Sequence, residues 1–403
     1  MGATWRAARA HSSHGLKSSR DRDMLTNVKM SENPKPASKK RRGGGGAAAA
    51  DKRVKRGKTS YTLITGKTLD LNHDRSTQFF DIYETEVSTI SDLLALDAFY
   101  MEGHVDKYKG SSIPFSTIHM ITGPLRKLEA MIGLGDAKRQ VLSIIVYFLQ
   151  NFAKGTGDML HTVVYGGPGV GKTKLIGILA EVYAGLGVLP TAKVTMAKRA
   201  DLIAGYLGQT AVKTRKVIES AKGGVLLLDE AYALGDKEQR DSYSRECIDT
   251  LNQALSEEKN ELICIIAGYK ADLDERFFKS NPGLERRFPF RVSIGDYKAT
   301  HLRDIFLQIV RENGWDIEDD AAAPVSLFEE NKDNFRFNGG DMETLFTKTK
   351  FLHSLRVFGG APDEKKKFTR CDIDAGLAVF LETCEEAIKA RKDFKELISH
   401  IYM

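Results

Sequence analysis

The sequence predicts an α/β fold: a mostly parallel sheet covered by helices, followed by a helical domain. Three observations carry this. Five short apolar runs between residues 125 and 294 (HTVVY, AKVTM, GVLLLDE, ELICIIAG and FPFRVSI) are separated by longer amphipathic stretches, the alternation that parallel strands joined by crossover helices produce. A glycine-rich loop directly follows the first run. Beyond Asp296 the strand signals stop and long helical patterns take over.

The elements come in chain order. Residues 1–58 hold 16 Lys and Arg against 4 Asp and Glu, a net charge of +12, which leaves 44 against 50, a net of −6, for the rest of the 403-residue chain. This segment lacks the apolar periodicity needed to bury a core and is expected to be a disordered basic tail. Its two basic clusters, Lys39–Arg42 and Lys52–Arg56, flank a Gly/Ala spacer. They read as a bipartite nuclear-import signal, as a solvated arm, or as an arm that binds nucleic acid. The first 20 residues carry arginines and serines but no acid, which also fits an organellar transit peptide, and Met24 or Met30 could be the start. Residues 59–124 mix aromatics and leucines at irregular helical spacing and read as a small amino-terminal element that packs on the α/β domain. Residues 125–294 form that α/β domain. Residues 295–392 form a helical domain through ATHLRDIFLQIVRENGW, GGDMETLFTKTKFLHSLRVF and TRCDIDAGLAVFLETCEEAIKARKDF, and 393–403 close the chain.

Composition narrows the function classes. The longest apolar stretch, Val141–Phe152, is broken by Ser143 and Gln150 and falls short of the roughly 20 residues a bilayer requires, so it reads as a buried helix and no membrane partner is expected. The cysteines Cys247, Cys264, Cys371 and Cys384 show no metal-ligand spacing. They read as core thiols of a protein in a reducing compartment, nucleus or cytoplasm.

Two motifs carry the chemistry. Gly166, Gly167, Pro168, Gly169, Val170, Gly171, Lys172 and Thr173 satisfy G-x-x-x-x-G-K-[ST] between an apolar run and a helical pattern. The glycines let backbone N–H groups turn toward phosphate oxygens, and the helix amino terminus adds partial positive charge. Lys172 is placed to reach the β- and γ-phosphates and Thr173 to offer a hydroxyl to Mg²⁺. Asp229 and Glu230 end the run GVLLLDE, 57 residues after Lys172. Carboxyl ends of such strands face ligands; Asp229 is positioned to hold Mg²⁺ through water and Glu230 to orient and deprotonate the attacking water. Together the motifs predict ATP as substrate and Mg²⁺ as cofactor.

With these residues in view, the chain from about Leu128 to Leu381 resembles an AAA+ ATPase of the CbbX/SpoVK type, the branch that includes red-type rubisco activase. The stretches MIGLGDAKRQV, GGPGVGKT, GYLGQTAVKTRKVIESAKGGVLLLDEAYAL, IIAGYKADL and NPGLERRFPFRV carry the resemblance. It implies a five-stranded sheet, a small all-α lid and a hexamer with nucleotide between subunits. It also implies that Ile132 and Gly133 pack the adenine and that Arg287 reaches a neighbour's γ-phosphate. Related chains commonly read Arg-Ser-Arg where this one has Glu285-Arg286-Arg287, so Arg286 is an alternative. Tyr269 stands where the superfamily often places Asn, either ordering water or packing, and the lid's usual arginine position falls near Gly340. A backbone approach through Gly339 and Gly340 is the simpler expectation there.

Tyr206, Leu207 and Gly208 lie where related translocases place the pore loop that grips polypeptide. The competing reading makes Tyr206 a core aromatic. The expected function is therefore a hexameric ATPase that remodels a polypeptide target. The alternative is a nucleic-acid-associated switch or loader that uses the basic tail. The tail and amino-terminal element have no place in the activase pattern, so rubisco is not the expected target.

Overall fold

Strands buried on both faces read as unbroken apolar runs, which is why the three central ones were legible, while the two edge strands are half exposed and carry polar residues. In the computed structural model, described over residues 60–62, 68–70, 87–101, 113–153, 157–206, 208–235, 241–361 and 364–401, these runs become β1 (Thr162–Gly166), β2 (Val194–Ala197), β3 (Val225–Asp229), β4 (Ile263–Gly268) and β5 (Phe290–Ile294). The sheet order is β2-β3-β4-β1-β5 and every pairing is parallel. The basic tail lies outside the described residues. Of the segment between it and the first helix, the antiparallel pair Ser60–Thr62 and Thr68–Asp70 is described.

Alternation along the strands builds two cores, because successive side chains point to opposite faces. Val164, Val225, Leu227, Ile263, Ile265 and Val292 face one side with the helices α3 (Gly135–Leu149) and α4 (Lys172–Gly185). Val163, Tyr165, Leu226, Leu228, Cys264 and Ile266 face the other with α5 (Thr210–Ala221) and α6 (Ser242–Glu257). Two further helices, α1 (Ile90–Met101) and α2 (Phe115–Glu129), precede them. Helix α2 packs on α4 closely enough that a Cβ added to Gly185 would sit 2.7 Å from Ile121 Cγ2. The expected boundary at 124/125 falls inside α2, so the amino-terminal element shares a helix with the α/β domain.

The lid comprises α7 (Ala299–Glu312), α8 (Gly339–Arg356) and α9 (Arg370–Ile401) with shorter turns between them. It is helical as expected, with one addition: Asp316–Ile317 pairs in parallel with Lys367–Phe368. The expected boundary at 392/393 falls within α9. Trp315 stacks on Phe368 at 4.8 Å between centroids, and Asp372 is bonded by buried His353 and by exposed Arg356. Cys247 and Cys264 are buried as expected, but Cys384 is half-buried and Cys371 is exposed in the first turn of α9, a correction to the reading of all four as core. No helix among the described residues is long and apolar enough to cross a membrane.

At the entry to β1, His161 is fully buried. Its Nδ1 accepts from the Cys264 backbone N–H at 3.1 Å, and its Nε2–H donates to the Leu255 carbonyl at 3.0 Å. Only a neutral imidazole satisfies both. Burial, reinforced by the nearby Arg287 guanidinium and partly opposed by the Leu255 bond, lowers its pKa to about 4.

Candidate functional site: a nucleotide pocket at the carboxyl edge of the sheet

The register sets the site. Asp229 on β3 and Val164 on β1 both lie opposite Ala267 of the intervening β4. Two strand spacings, about 10 Å, therefore separate the acid pair from the glycine-rich loop along one edge. Parallel sheets bind ligands at that edge, because the helices that return to it present their amino termini there.

The loop between β1 and α4 needs glycine at two points. Gly169 and Gly171 adopt φ of +68° and +86°, a left-handed conformation that only glycine enters without strain. Helix α4 then starts at Lys172. Lys172 Nζ donates to the carbonyls of Gly166 at 3.1 Å and Gly167 at 2.6 Å, and it lies 5.6 Å from the centre of the Tyr269 ring. Burial lowers the lysine's pKa, and the carboxylates of Asp229 and Glu230 oppose that shift.

Glu230 has a left-handed backbone, φ 54° and ψ 42°. A non-glycine residue held there costs on the order of 1–3 kcal/mol and is a signature of functional geometry. The turn Ala231–Leu234 follows at once, and its Tyr232 lies beside the Glu230 carboxylate. Burial first, then the Glu230 carboxylate, pushes the Tyr232 phenol up to about 12. Its ring lies 5.8 Å from that of Tyr269.

A pocket of about 480 Å³ gathers most of the predicted residues. Ile132, Pro168, Gly169, Val170, Gly171, Lys172, Thr173, Asp229, Glu230 and Tyr269 all line it. Gly166, Gly167 and Gly133 do not. Gly133 instead has φ +69° and packs against Tyr297 and His301, each 3.0 Å from where a Cβ would stand. The lid backbone meets the glycine-rich loop: the Gly339 N–H donates to the Gly169 carbonyl at 3.1 Å, and Gly339 and Gly340 line the pocket. A Cβ on Gly169 would fall 1.8 Å from the Phe337 carbonyl oxygen, so only glycine lets the lid lie this close.

Sequence reasoning gave no role to several lining residues, among them Tyr232, Tyr297 and one face of α7. Tyr232 sits in a stretch that carries the family resemblance, which gives it no role of its own. Tyr297 donates its phenol to the Val170 carbonyl at 3.0 Å and steadies the loop. Ile305, Gln308, Ile309 and Glu312 of α7 also face the pocket. Their i, i+3, i+4, i+7 spacing was visible, but it reads the same for a core face.

The remaining predicted residues lie away from this pocket. Arg286 and Arg287 precede β5 at the amino edge of the sheet, the opposite end of the strands from the glycine-rich loop. Arg287 is half-buried and tied to its own chain, donating from Nε to Ser256 Oγ at 2.7 Å and from a terminal nitrogen to the Gly283 carbonyl at 2.5 Å. Arg286 is exposed and has no polar partner among the described residues. Tyr206 is 74% exposed, which overturns the core-aromatic reading. Gly208 is exposed with φ +79°, and Leu207 lies outside the described residues.

A phosphate-binding loop between a buried strand and a helix, with an acid pair two strands away on the same sheet edge, defines a P-loop nucleoside-triphosphate hydrolase. Residues 162–294 match the family described as ATPase family associated with various cellular activities (AAA). The chain is 39% identical over 271 residues to a cfxQ-like protein of Acanthamoeba polyphaga mimivirus, covering 67% of each chain. It is 32% identical over 202 residues to stage V sporulation protein K of Bacillus subtilis, covering 49% of this chain and 62% of that protein. With protein CfxQ of Xanthobacter flavus it shares 29% identity over 289 residues, 69% of this chain and 89% of the relative. The chain belongs to the AAA ATPase family, in the branch of CfxQ and stage V sporulation protein K, and is an ATP hydrolase.

Proposed function

We propose that this ATPase assembles into a ring, a hexamer by the family pattern, and uses ATP hydrolysis to pull on a polypeptide and remodel its target. The observation that carries the reading is Tyr206, a large aromatic 74% exposed on the connection between β2 and α5. A ring left in water makes sense where it contacts many side chains without demanding a sequence. Arg199 links this region to the catalytic edge: its guanidinium donates to the Ala233 carbonyl at 2.7 Å, just beyond Glu230, and pairs with Asp241 at the start of α6. Nucleotide state at Glu230 and the position of the Tyr206 loop thus share a physical connection.

The chemistry assigned to the pocket is water attack on the γ-phosphate of ATP. Asp229 carboxylate and Thr173 hydroxyl are hard oxygen donors that both line the pocket. They fit Mg²⁺, which takes one or two protein oxygens and completes its shell with water and substrate phosphates. Those two residues would hold the ion, whose charge offsets that of the phosphates. Glu230 orients the attacking water and takes its proton. Lys172 exchanges its two loop carbonyls for phosphate oxygens, which the lid contact at Gly169 holds in register. Trans-stabilisation falls to Arg286, because Arg287 is already bound within its own chain and neither arginine can reach its own pocket from the far edge of the sheet. A second subunit is required to complete the site.

The basic tail supports a second reading, a nucleic-acid-associated loader. Holding Glu230→Gln protein in ATP with a photo-crosslinking side chain at position 206 separates the two. Adducts with polypeptide support the motor, and adducts made only with nucleic acid support the loader.

A further inference from the structure

We propose that Glu312, held in place by Gln308, accepts a hydrogen bond from a ribose hydroxyl of the bound nucleotide, so that the lid reads the sugar. The inference rests on nucleotide filling the pocket described above.

Helix α7 starts beside the phosphate end, since Tyr297, two residues before it, bonds the Val170 carbonyl. It then leads away: at 1.5 Å per residue, Glu312 lies about 10 Å further along the axis than Ile305. The pocket wall changes character along that path. Lys172, Thr173, Asp229 and Glu230 mark the phosphate end, whereas Met131, Ile132, Ile305 and Ile309 supply apolar walls suited to a planar base. Gln308 and Glu312 interrupt the apolar face of α7 with polar groups.

The placement of Glu312 runs against local preference. A carboxylate in the last turn of a helix opposes the macrodipole, and Glu312 has no cation partner among the described residues. Among the described residues its one bond is from Gln308 Nε2 at 2.6 Å to Oε1. That bond fixes the carboxylate and leaves most of its lone pairs available, because an ionised carboxylate offers about four acceptor sites. A group that only accepts suits a partner that only needs to donate, and it repels phosphate. Ribose hydroxyls meet that description, and acidic side chains read them in the same way in dinucleotide-binding folds. Both side chains are also partly open to water, as the edge of a sugar would be, while the base takes the apolar slot.

The test is equilibrium binding of ADP, 2′-deoxy-ADP, 3′-deoxy-ADP and purine riboside diphosphate to the full chain by titration calorimetry. A site built around a hydroxyl rejects analogues that lack it, and a hydrogen bond to a charged acceptor accounts for about a tenfold difference. Wild type is expected to bind ADP about tenfold tighter than at least one deoxy analogue. Glu312→Ala should lower ADP affinity to the level of that analogue and leave the analogue's own affinity unchanged. Gln308→Ala, which frees the carboxylate to rotate, should cause a smaller loss confined to ADP. Glu312 is exposed, so neither variant should alter the melting temperature. Equal binding of ADP and both deoxy analogues by wild type overturns the inference. So does a Glu312→Ala protein that loses affinity for all nucleotides alike, or one whose altered discrimination is against purine riboside diphosphate, which would move the contact to the base. Failure of wild type to bind ADP at all would instead remove the nucleotide pocket itself, and Lys172→Ala serves as the reference for that outcome.

Discussion

Lowering the pH should weaken this fold through one residue. His161 is neutral, with its pKa lowered to about 4 by burial, whereas in the unfolded chain an imidazole titrates near 6.5. A depressed pKa means that the unfolded state takes up the proton first as pH falls. The stabilisation is therefore complete above about pH 6.5 and lost progressively toward pH 4. A gap of about 2.5 units corresponds to about 3 kcal/mol over the whole window, of which about 2 kcal/mol is gone by pH 5. His161→Gln is the comparison, since its amide offers an acceptor toward the Cys264 N–H and a donor toward the Leu255 carbonyl without titrating. The variant should be less stable at pH 7 but show a flatter pH dependence, so that the two proteins converge by pH 5. Urea unfolding followed by far-UV circular dichroism at pH 7, 6 and 5 measures this. Parallel pH dependences would refute the assignment of a neutral, proton-resisting His161.

Other expectations concern the active edge. Glu230→Gln should bind ATP yet hydrolyse it slower by a factor on the order of 10² or more, as expected for loss of a general base, and Lys172→Ala should weaken nucleotide binding; single-turnover hydrolysis and calorimetry distinguish them. Arg286→Ala should fold normally and be inactive alone, but mixing it with Glu230→Gln should restore turnover, because some interfaces then pair an intact glutamate with an intact arginine. Arg287→Ala should instead lower the melting temperature, since it removes bonds from Ser256 and Gly283 that together amount to about 1–3 kcal/mol. Recovery of turnover by Arg287→Ala and not Arg286→Ala would reverse the two roles. Deleting residues 1–58 should leave ATPase activity intact; on the import-signal reading it also abolishes nuclear accumulation of a tagged protein, and loss of nucleic-acid-stimulated hydrolysis would favour the loader.

The parts of the fold legible in sequence were those that local chemistry fixes. The three central strands stood out because buried parallel strands tolerate almost no polar residue, the two half-exposed edge strands because amphipathic stretches set them apart, and the phosphate loop because its glycine positions are dictated by backbone conformation. What escaped depends on which way an element turns once packed. Ile305, Gln308, Ile309 and Glu312 have helical spacing whether they face a core or a cavity. Arg286 and Arg287 are neighbours in sequence, yet a single helical turn sends one into the packing around Ser256 and the other to solvent. The lid's parallel pair, Asp316–Ile317 with Lys367–Phe368, is too short to show any period. The boundary at 124/125 failed because α2 is a continuous helix that α1 and α4 both use.

The central claim is that Tyr206 grips a polypeptide. The direct measurement is ATP hydrolysis by wild type, Tyr206→Ala and Tyr206→Phe, each with and without a permanently unfolded polypeptide, alongside their melting temperatures. Because the ring is 74% exposed, removing it leaves no cavity and should not move the melting temperature, unlike the roughly 3–5 kcal/mol that truncating a buried aromatic costs. The account predicts that Tyr206→Ala keeps basal hydrolysis and loses stimulation, while Tyr206→Phe keeps both through ring contact. Stimulation that survives intact in Tyr206→Ala would contradict it.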